Sequence, residues 1–208
     1  MTEKKSSIKD DFTTLSIILI LIGITANVIG GKLAYILHLP MYLDTIGTIF
    51  ASIVAGPWIG AITGLLSNVV NGIMDPIYFW FIPVNIITGL ITGFLSRAGW
   101  FTKWEKGLLA TFIQAVASSI ASTILAVLVF NGIIDSGTSI ISEAMIRTGH
   151  NIWTAVGMVE LIWTIIDRII SWLISLGICN VIPNRTLLKF PLGHLYLSGQ
   201  NNKENNQG

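Results

Sequence analysis

The stretch TIGTIFASIVAGPWIGAITGLLSNVVNGIM, residues 45–74, decides the fold because it contains no Asp, Glu, Lys or Arg. Residues 76–96 and 107–134 are equally free of these charges. Each run is long enough to supply the roughly 20 apolar residues with which a helix crosses a bilayer. The chain is 52% hydrophobic and 11% charged, whereas soluble domains are about 25% charged. The sequence therefore predicts an all-α membrane protein.

The run 45–74 is too long for one span and too short for two full ones. As a single helix it would extend about 45 Å at 1.5 Å per residue, whereas two full spans need about 40 residues. Its middle contains Gly56-Pro57, and proline is favoured at the first position of a helix. We expect two short, tilted helices here, at about 44–56 and 57–73, joined by a tight turn.

The other uncharged runs complete a membrane domain over residues 12–190. Six transmembrane helices are predicted, at about 12–37, 44–56, 57–73, 78–97, 105–131 and 152–182. Residues 1–11 are expected to form a cytoplasmic N-terminal segment. Residues 191–208 end in the polar sequence SGQNNKENNQG and are expected to form a cytoplasmic tail that is largely disordered.

The basic residues support six spans with both termini in the cytoplasm. Nine of the twelve Lys and Arg residues then lie inside: Lys4, Lys5, Lys9, Arg97, Lys103, Lys106, Arg185, Lys189 and Lys203. Such an excess of positive charge is typical of cytoplasmic loops. A single span over 45–74 would put Arg97, Lys103 and Lys106 outside. The outer loops are predicted at 38–43, 73–78 and 132–151, and the last is either a lid or a simple connector.

A polar stripe runs along the last predicted span. Its members recur at helical spacing and share one face: Glu160, Thr164, Asp167, Arg168, Ser171 and Ser175. Such a stripe must face protein or water rather than lipid. Asp167 and Arg168 are adjacent and do not face each other well, so Arg168 is expected to reach Thr164, Ser171 or a distant carboxylate. The alternatives for Asp167 and Arg168 are a structural ion-pair network and a ligand site.

Further polar side chains cluster toward the outer side and predict a pocket that opens there for a polar small molecule. The predicted substrate-binding residues are Lys32, Asn71, Asn85, Trp153, Glu160 and Trp163. Lys32 either pairs with a ligand carboxylate or extends to the membrane surface. Arg147 and Arg168 are alternative partners for a carboxylate, and no metal site is predicted.

Missing motifs exclude several functions. The chain lacks the G-x-x-x-x-G-K-[ST] loop and is not expected to hydrolyse ATP. It lacks H-E-x-x-H and G-x-S-x-G, the motifs of metalloproteases and serine hydrolases, and its net charge of +1 gives no reason to expect a nucleic-acid partner. Two other classes stay open: a lipid-modifying enzyme that uses Asp167, Glu160 and a metal, and a membrane scaffold subunit without a ligand.

Ala26, Gly30 and Ala34 recur every four residues on the first predicted helix. Small residues at this spacing let helices approach closely in a membrane, so this seam predicts an interface with another subunit. The pairs Gly60/Gly64 and Gly89/Gly93 have the same spacing, and packing within the chain is the simpler expectation for them.

The seam, the size and the six helices resemble the substrate-binding S components of energy-coupling factor (ECF) vitamin transporters. The segment L-D-T-I-G-T…G-P-W-x-G-A-x-T-G-L-x-x-N within residues 39–73 carries the resemblance further, and the likeness covers about residues 12–190. Among the subfamilies the chain is most similar to the pantothenate type.

The resemblance implies a non-catalytic subunit of an ABC-type importer in the bacterial plasma membrane. Such a subunit captures its vitamin outside and docks through the first helix onto a transmembrane coupling subunit. Two partner ATPases use ATP and Mg, and this chain itself needs no cofactor. Pantothenate is the expected substrate. Other vitamins or precursors, such as hydroxymethylpyrimidine and pyridoxine-like molecules, are the alternatives.

Overall fold

The computed structural model describes residues 8–132, 134 and 137–197, and within these the chain forms helices and no strand. The helices are α1 (Ile8–Asp11), α2 (Thr14–Ile36), α3 (Ile46–Ala55), α4 (Pro57–Met74), α5 (Ile77–Trp80), α6 (Ile82–Arg97), α7 (Trp104–Phe130), α8 (Gly137–Arg147), α9 (Ile152–Val181) and α10 (Asn184–Leu187). Two 3-10 turns lie at Trp100–Thr102 and Gly193–Tyr196. The predictions for Lys4, Lys5, Lys203 and the tail from residue 198 concern residues outside this description.

In the described part of the chain, three helices are long and apolar enough to cross a membrane. They are α2, α7 and α9, with 23, 27 and 30 residues. The shorter apolar helices α3 and α6 have 10 and 16 residues. The all-α membrane class is therefore confirmed, and each predicted span contains one main helix. The count of six crossings and the cytoplasmic position of the termini stay predictions.

The run 45–74 forms two helices that meet at Gly56, as the sequence predicts. Gly56 has φ +98°, a value that suits glycine, and Pro57 begins α4. Nine of the ten residues of α3 are buried. At 1.5 Å per residue α3 extends only about 15 Å. It is thus a core helix surrounded by protein.

Two connections differ from the expectation. The predicted span 78–97 is divided at Phe81 into α5 and α6, because Pro83, in the first turn of α6, lacks the N–H that a continuous helix would need. The outer loop 132–151, for which a lid or a simple connector was expected, contains the helix α8. This helix buries Thr138, Ser139 and Ser142 and exposes Ile140. Its hydroxyl face is therefore the face that packs on the rest of the chain.

The largest apolar cluster surrounds α3 and extends to the C-terminal residues. It includes Leu19 of α2, Phe50 and Ile53 of α3, and Trp172 of α9. Leu187 and Phe190, which follow α9 in the chain, also belong to this cluster. We call the end of the molecule where residues 8–11 and 184–197 lie the inner end. The end where the 37–45, 75–81 and 131–151 connections meet is the outer end.

A buried ion pair lies at the inner end, where Asp11 meets Arg97 at 2.5 Å between Oδ1 and a guanidinium nitrogen. A Cβ added to Gly56 would lie 2.7 Å from the Asp11 carboxylate, so this carboxylate sits against the N-terminus of α4, where negative charge is favoured. Burial nevertheless raises the pKa of Asp11, and Arg97 opposes that effect. Asp11, Gly56 and Arg97 are called the inner junction below.

Candidate functional site

A cavity of about 120 Å³ lies at the outer end, between α2, α6, α7, α9 and the outer connections. Its wall combines aromatic rings, charged groups and small hydroxyls. The rings are Tyr35, Tyr42, Tyr78 and Phe81, the charged groups are Asp44, Asp75, Glu160 and Arg168, and the short polar groups are Asn85, Ser118, Ser122, Thr138 and Thr164. Since a water molecule needs about 10–15 Å³ of such space, the cavity suits a small molecule.

Glu160 is the buried carboxylate of the cavity, with 4% of its surface exposed. The hydroxyl of Tyr42 donates to its Oε1 at 2.7 Å, and Ser122 donates to its Oε2 at 2.9 Å. Thr138 of α8 donates to Oε1 at 3.2 Å. An ionised carboxylate only accepts hydrogen bonds, and these donors from three separate segments hold it in place. Glu160 thereby ties α7, α8 and the 37–45 connection to α9.

Arg168 lies deeper in the cavity wall and forms an ion pair with its neighbour Asp167. Its guanidinium also donates to Thr45 Oγ1 at 2.5 Å, and Asp167 accepts from the backbone N–H of Leu43 at 2.7 Å. The expectation that adjacent residues would not pair is wrong, because both side chains turn toward the start of α3. The pair therefore anchors the outer end of α3 to α9.

All six members of the polar stripe are buried, at no more than 4% exposure, so the prediction that it faces protein is confirmed. Its outer members Glu160, Thr164 and Arg168 line the cavity. Its inner members pack on the chain, with Ser175 3.4 Å from the Ile46 carbonyl oxygen. The stripe thus lines the cavity at one end and forms a structural contact at the other.

Asp44 lines the cavity on the connection before α3, where it is half-buried and lies within electrostatic range of Arg168. Asp75 lines the cavity on the connection after α4 and is exposed, so it marks the mouth. Both lie within electrostatic range of the Tyr78 hydroxyl. Asp75 Oδ1 also accepts from the backbone N–H of Ile77 at 3.1 Å, which starts α5. The mouth is therefore acidic and partly aromatic.

Amide side chains form a polar layer beneath and beside the cavity. Asn85 lines it and donates to Asn68 Oδ1 at 2.5 Å. Gln114 donates to Ser118 at 2.8 Å, and Ser118 faces the cavity. Asn27, by contrast, is engaged by Thr48, Ser67 and the Gly47 N–H at 2.7–2.8 Å. It joins α2, α3 and α4 and has no free group for a ligand.

The structure brings two of the six predicted substrate-binding residues, Asn85 and Glu160, to the cavity wall. The other four are not in the lining. Lys32 is exposed, because it is rotated about 100° from the lining residue Gly31. Trp153 lies about two turns beyond Glu160 and is 45% exposed. That these residues contact a ligand stays a prediction, and the cavity geometry supports it for Asn85 and Glu160.

Asn71 and Trp163 also lie outside the lining, for different reasons. Asn71 is buried on α4, but Tyr78 and Phe81 of the following segment provide the wall there. Trp163 precedes the lining residue Thr164 by one position, so it points to another side of α9. Tyrosines therefore take the place that the sequence suggested for tryptophans.

The small-residue seam of α2 is only partly free for another subunit. A Cβ at Gly30 would lie 2.1 Å from the Leu43 carbonyl oxygen, and Ala34 is buried in the cavity wall. Ala26 is half-buried. The Gly60/Gly64 and Gly89/Gly93 pairs pack within the chain as expected, since a Cβ at Gly89 would meet the backbone of α4 at 2.4 Å. The subunit interface stays a prediction, and Ala26 is the seam residue best placed for it.

Sequence reasoning passed over Asp44, Asp75, Tyr42 and Tyr78. One signal was available: Asp44 and Asp75 are the only Asp, Glu, Lys or Arg residues between Lys32 and Arg97, and both line the cavity. No such signal marks Ser122 or Thr138, which depend on the packing of α7 and α8. Among the described residues, no group of three His, Cys, Asp or Glu is placed to hold a metal ion.

A family model described as "ECF transporter, substrate-specific component" matches residues 12–179, which contain the whole cavity wall. The comparisons with curated proteins and with solved structures found no match. The matched region extends from the start of α2 to the last turn of α9 and covers most of the chain. The chain therefore belongs to the family of ECF transporter substrate-specific components, which bind a substrate for transport and are not enzymes.

Proposed function

We propose that this protein captures a small water-soluble vitamin or vitamin precursor in the outer cavity and delivers it to an ATP-driven importer. Members of its family bind a small molecule and associate with a transmembrane coupling subunit and ATPases. The observation that supports this function best is the cavity itself, whose wall contains a buried carboxylate held by three hydroxyl donors. Binding pockets combine an apolar wall with a few such fixed polar groups.

The proposed orientation follows the charges. The cavity opens at the end where the predicted outside loops meet, and the basic residues Arg97, Lys103 and Arg185 lie at the other end. With the positive-inside rule, this distribution of charge supports a cavity mouth on the outer side of the plasma membrane. We therefore propose substrate capture from outside and, as for the family, ATP and Mg use by the partner ATPases alone.

Pantothenate is the substrate that the sequence resemblance suggests. The hydroxyls and amides of the wall suit its two hydroxyls and its amide. Its carboxylate would need a cation, and the lining cation Arg168 is already paired with Asp167. Pantothenate therefore remains a candidate to be tested beside hydroxymethylpyrimidine and pyridoxine-like molecules.

Native mass spectrometry of the purified chain tests ligand capture. We expect a bound small molecule, and a member of a vitamin panel that raises the thermal stability of the protein. Co-expression with an ECF coupling subunit and two ATPases should yield a complex that imports the same vitamin only while ATP is hydrolysed. A folded chain that binds no small molecule and joins no such complex would favour the scaffold alternative.

Docking through α2 is tested with Ala26→Leu, which enlarges a half-buried position on the proposed interface. We expect the variant to bind ligand normally and to co-purify less coupling subunit, because bulk at a small-residue seam keeps helices apart. Ala117→Leu on α7 is the matched control, since Ala117 is also half-buried. Equal co-purification of both variants with the coupling subunit would remove Ala26 from the interface.

A further inference from the structure

The charges of the cavity wall are unbalanced. Asp44, Asp75 and Glu160 are acidic, and Arg168 is the one basic residue in the described lining. Among the described ion pairs, none contains Asp44, Asp75 or Glu160, whereas Arg168 is paired with Asp167. Arg168 also lies within electrostatic range of Asp44. In the described lining, three carboxylates therefore share one guanidinium, which is already paired with Asp167.

The burial of Glu160 makes this excess of negative charge energetically important. Glu160 is 4% exposed, and a buried charge is costly unless it is paired and hydrogen-bonded. Its three hydroxyl donors satisfy its hydrogen bonds but bring no formal charge. A cation in the cavity would supply the missing charge. An anion would meet repulsion strengthened by the low dielectric of a buried site.

The aromatic part of the wall favours the same kind of ligand. Tyr35, Tyr42, Tyr78 and Phe81 surround the cavity together with apolar residues such as Met41 and Ile77. Aromatic faces attract cations, most strongly where water is excluded, and they also pack against flat rings. Asp44 and Asp75 lie within electrostatic range of Tyr78, so acidic and aromatic groups occur together in the wall.

Helix α2 contributes no positive charge to the described cavity wall. Lys32 is exposed and does not line the cavity, whose wall on this helix consists of Gly31, Ala34 and Tyr35. The mouth is instead acidic, and such a mouth raises the local concentration of cations and their rate of entry.

We propose that the substrate is an organic cation, such as a protonated amine or a charged nitrogen heterocycle, joined to a small ring or hydroxylated group. This inference rests on the proposed function, because the cavity and the family identify a substrate site and the charges then select its ligand. Glu160 faces the cationic group in the buried part of the site. Asp75 attracts it at the mouth, Asp44 adds negative charge to the wall, and the aromatic rings cover its flat surface.

The test compares ligands that share a ring and differ in charge. Binding of pyridoxamine, pyridoxine and 4-pyridoxate to the full chain in nanodiscs is measured by calorimetry at pH 7, where they are cationic, neutral and anionic. We expect affinity to fall in that order, by on the order of tenfold per step. Pantothenate and the neutral pantothenol form a second pair, in which the anion should bind more weakly.

Glu160→Gln removes the charge and keeps the shape of the side chain. It should reduce the preference for pyridoxamine over pyridoxine by about tenfold. Glu143→Gln is the matched control, because Glu143 is also on the outer side but pairs with Arg147 and does not line the cavity. Asp75→Asn, at an exposed position, tests the same point if Glu160→Gln does not fold.

The outcomes separate the two proposals. An anion that binds as tightly as its cationic or neutral counterpart, or a natural ligand extracted from the protein that carries no positive charge, would overturn the cation inference and leave the capture function intact. A folded protein that binds none of these probes and contains no extractable small molecule would overturn the capture function, and the inference with it.

Discussion

The outer cavity and the inner junction each contain a buried carboxylate, and the two are neutralised in different ways. Asp11 of the inner junction receives Arg97 at 2.5 Å and lies against the N-terminus of α4. Glu160 of the cavity receives hydroxyls from Tyr42, Ser122 and Thr138 and no cation from the described chain. The comparison teaches that this chain supplies a countercharge where a carboxylate holds the fold together. Where the carboxylate faces the cavity, we expect the ligand to supply the countercharge.

The packing around the two carboxylates differs in the same sense. The inner half is filled by the apolar cluster of Phe50, Ile53 and Trp172, whereas the outer half is joined by hydroxyl and amide contacts around open space. Stability should therefore depend mainly on the inner half and ligand selection on the outer half. The following substitutions test that division.

The largest effect on stability is expected for Trp172→Ala. Trp172 is 1% exposed and packs on Phe101 and Trp104 with ring centroids 6.2 and 4.9 Å away. Removing such a ring leaves a cavity and should lower the free energy of unfolding by about 3–5 kcal/mol, measured by denaturant unfolding in detergent micelles. Trp104→Ala, at a 61% exposed ring, should lose less. Ligand affinity of the folded Trp172→Ala fraction should match wild type. A large change in affinity would show that the two halves are not independent.

An intermediate effect, on both stability and ligand selection, is expected for Asp167→Asn. The amide keeps an acceptor for the Leu43 N–H, but Arg168 loses its ionic partner at a buried position. We expect a loss of about 1–3 kcal/mol in unfolding free energy. Since Arg168 lines the cavity, its released charge should also weaken binding of pyridoxamine and strengthen binding of 4-pyridoxate. An unchanged ratio of these two affinities would mean that Arg168 does not act on the ligand.

The smallest effect is expected for Asp11→Asn in the inner junction. Burial raises the pKa of Asp11 above its ordinary value of 3.8. The protonated carboxyl is therefore favoured in the folded state. The contribution of the protonated Asp11 carboxyl to the free energy of unfolding is complete below pH 3.8 and is lost as pH rises through the folded pKa. The ion pair with Arg97 offsets much of this loss, so D11N should change the unfolding free energy at pH 7 by less than about 1 kcal/mol.

Unfolding curves from pH 4 to 7 check this prediction. Wild type should lose stability relative to D11N as pH rises through this range. The opposite slope would mean that Arg97 outweighs burial.

The helices followed from the sequence because their signals are local. Long uncharged runs gave the apolar helices, and Gly56-Pro57 gave the break between α3 and α4. The buried face of α9 followed from the spacing of its polar residues. These features depend on neighbours in the chain, and a single sequence contains them.

The site followed only in part because its geometry is not local. Asn85 and Glu160 were found from their polarity in an apolar context, but Lys32 and Trp163 lie off the cavity by a rotation of their helices that periodicity does not fix. The hydroxyls of Ser122 and Thr138 reach Glu160 across 38 and 22 positions of sequence. Only the packing of α7 and α8 on α9 brings them there.

Helix α3 has a mechanical consequence. Its outer end is held to Arg168 through Thr45, and its inner end leads into Gly56 over the Asp11 carboxylate. Nine of its ten residues are buried, and close-packed protein interiors transmit strain. If a ligand in the cavity changes the contact between Arg168 and Thr45, the displacement would be transmitted along α3 to Gly56, about 15 Å away.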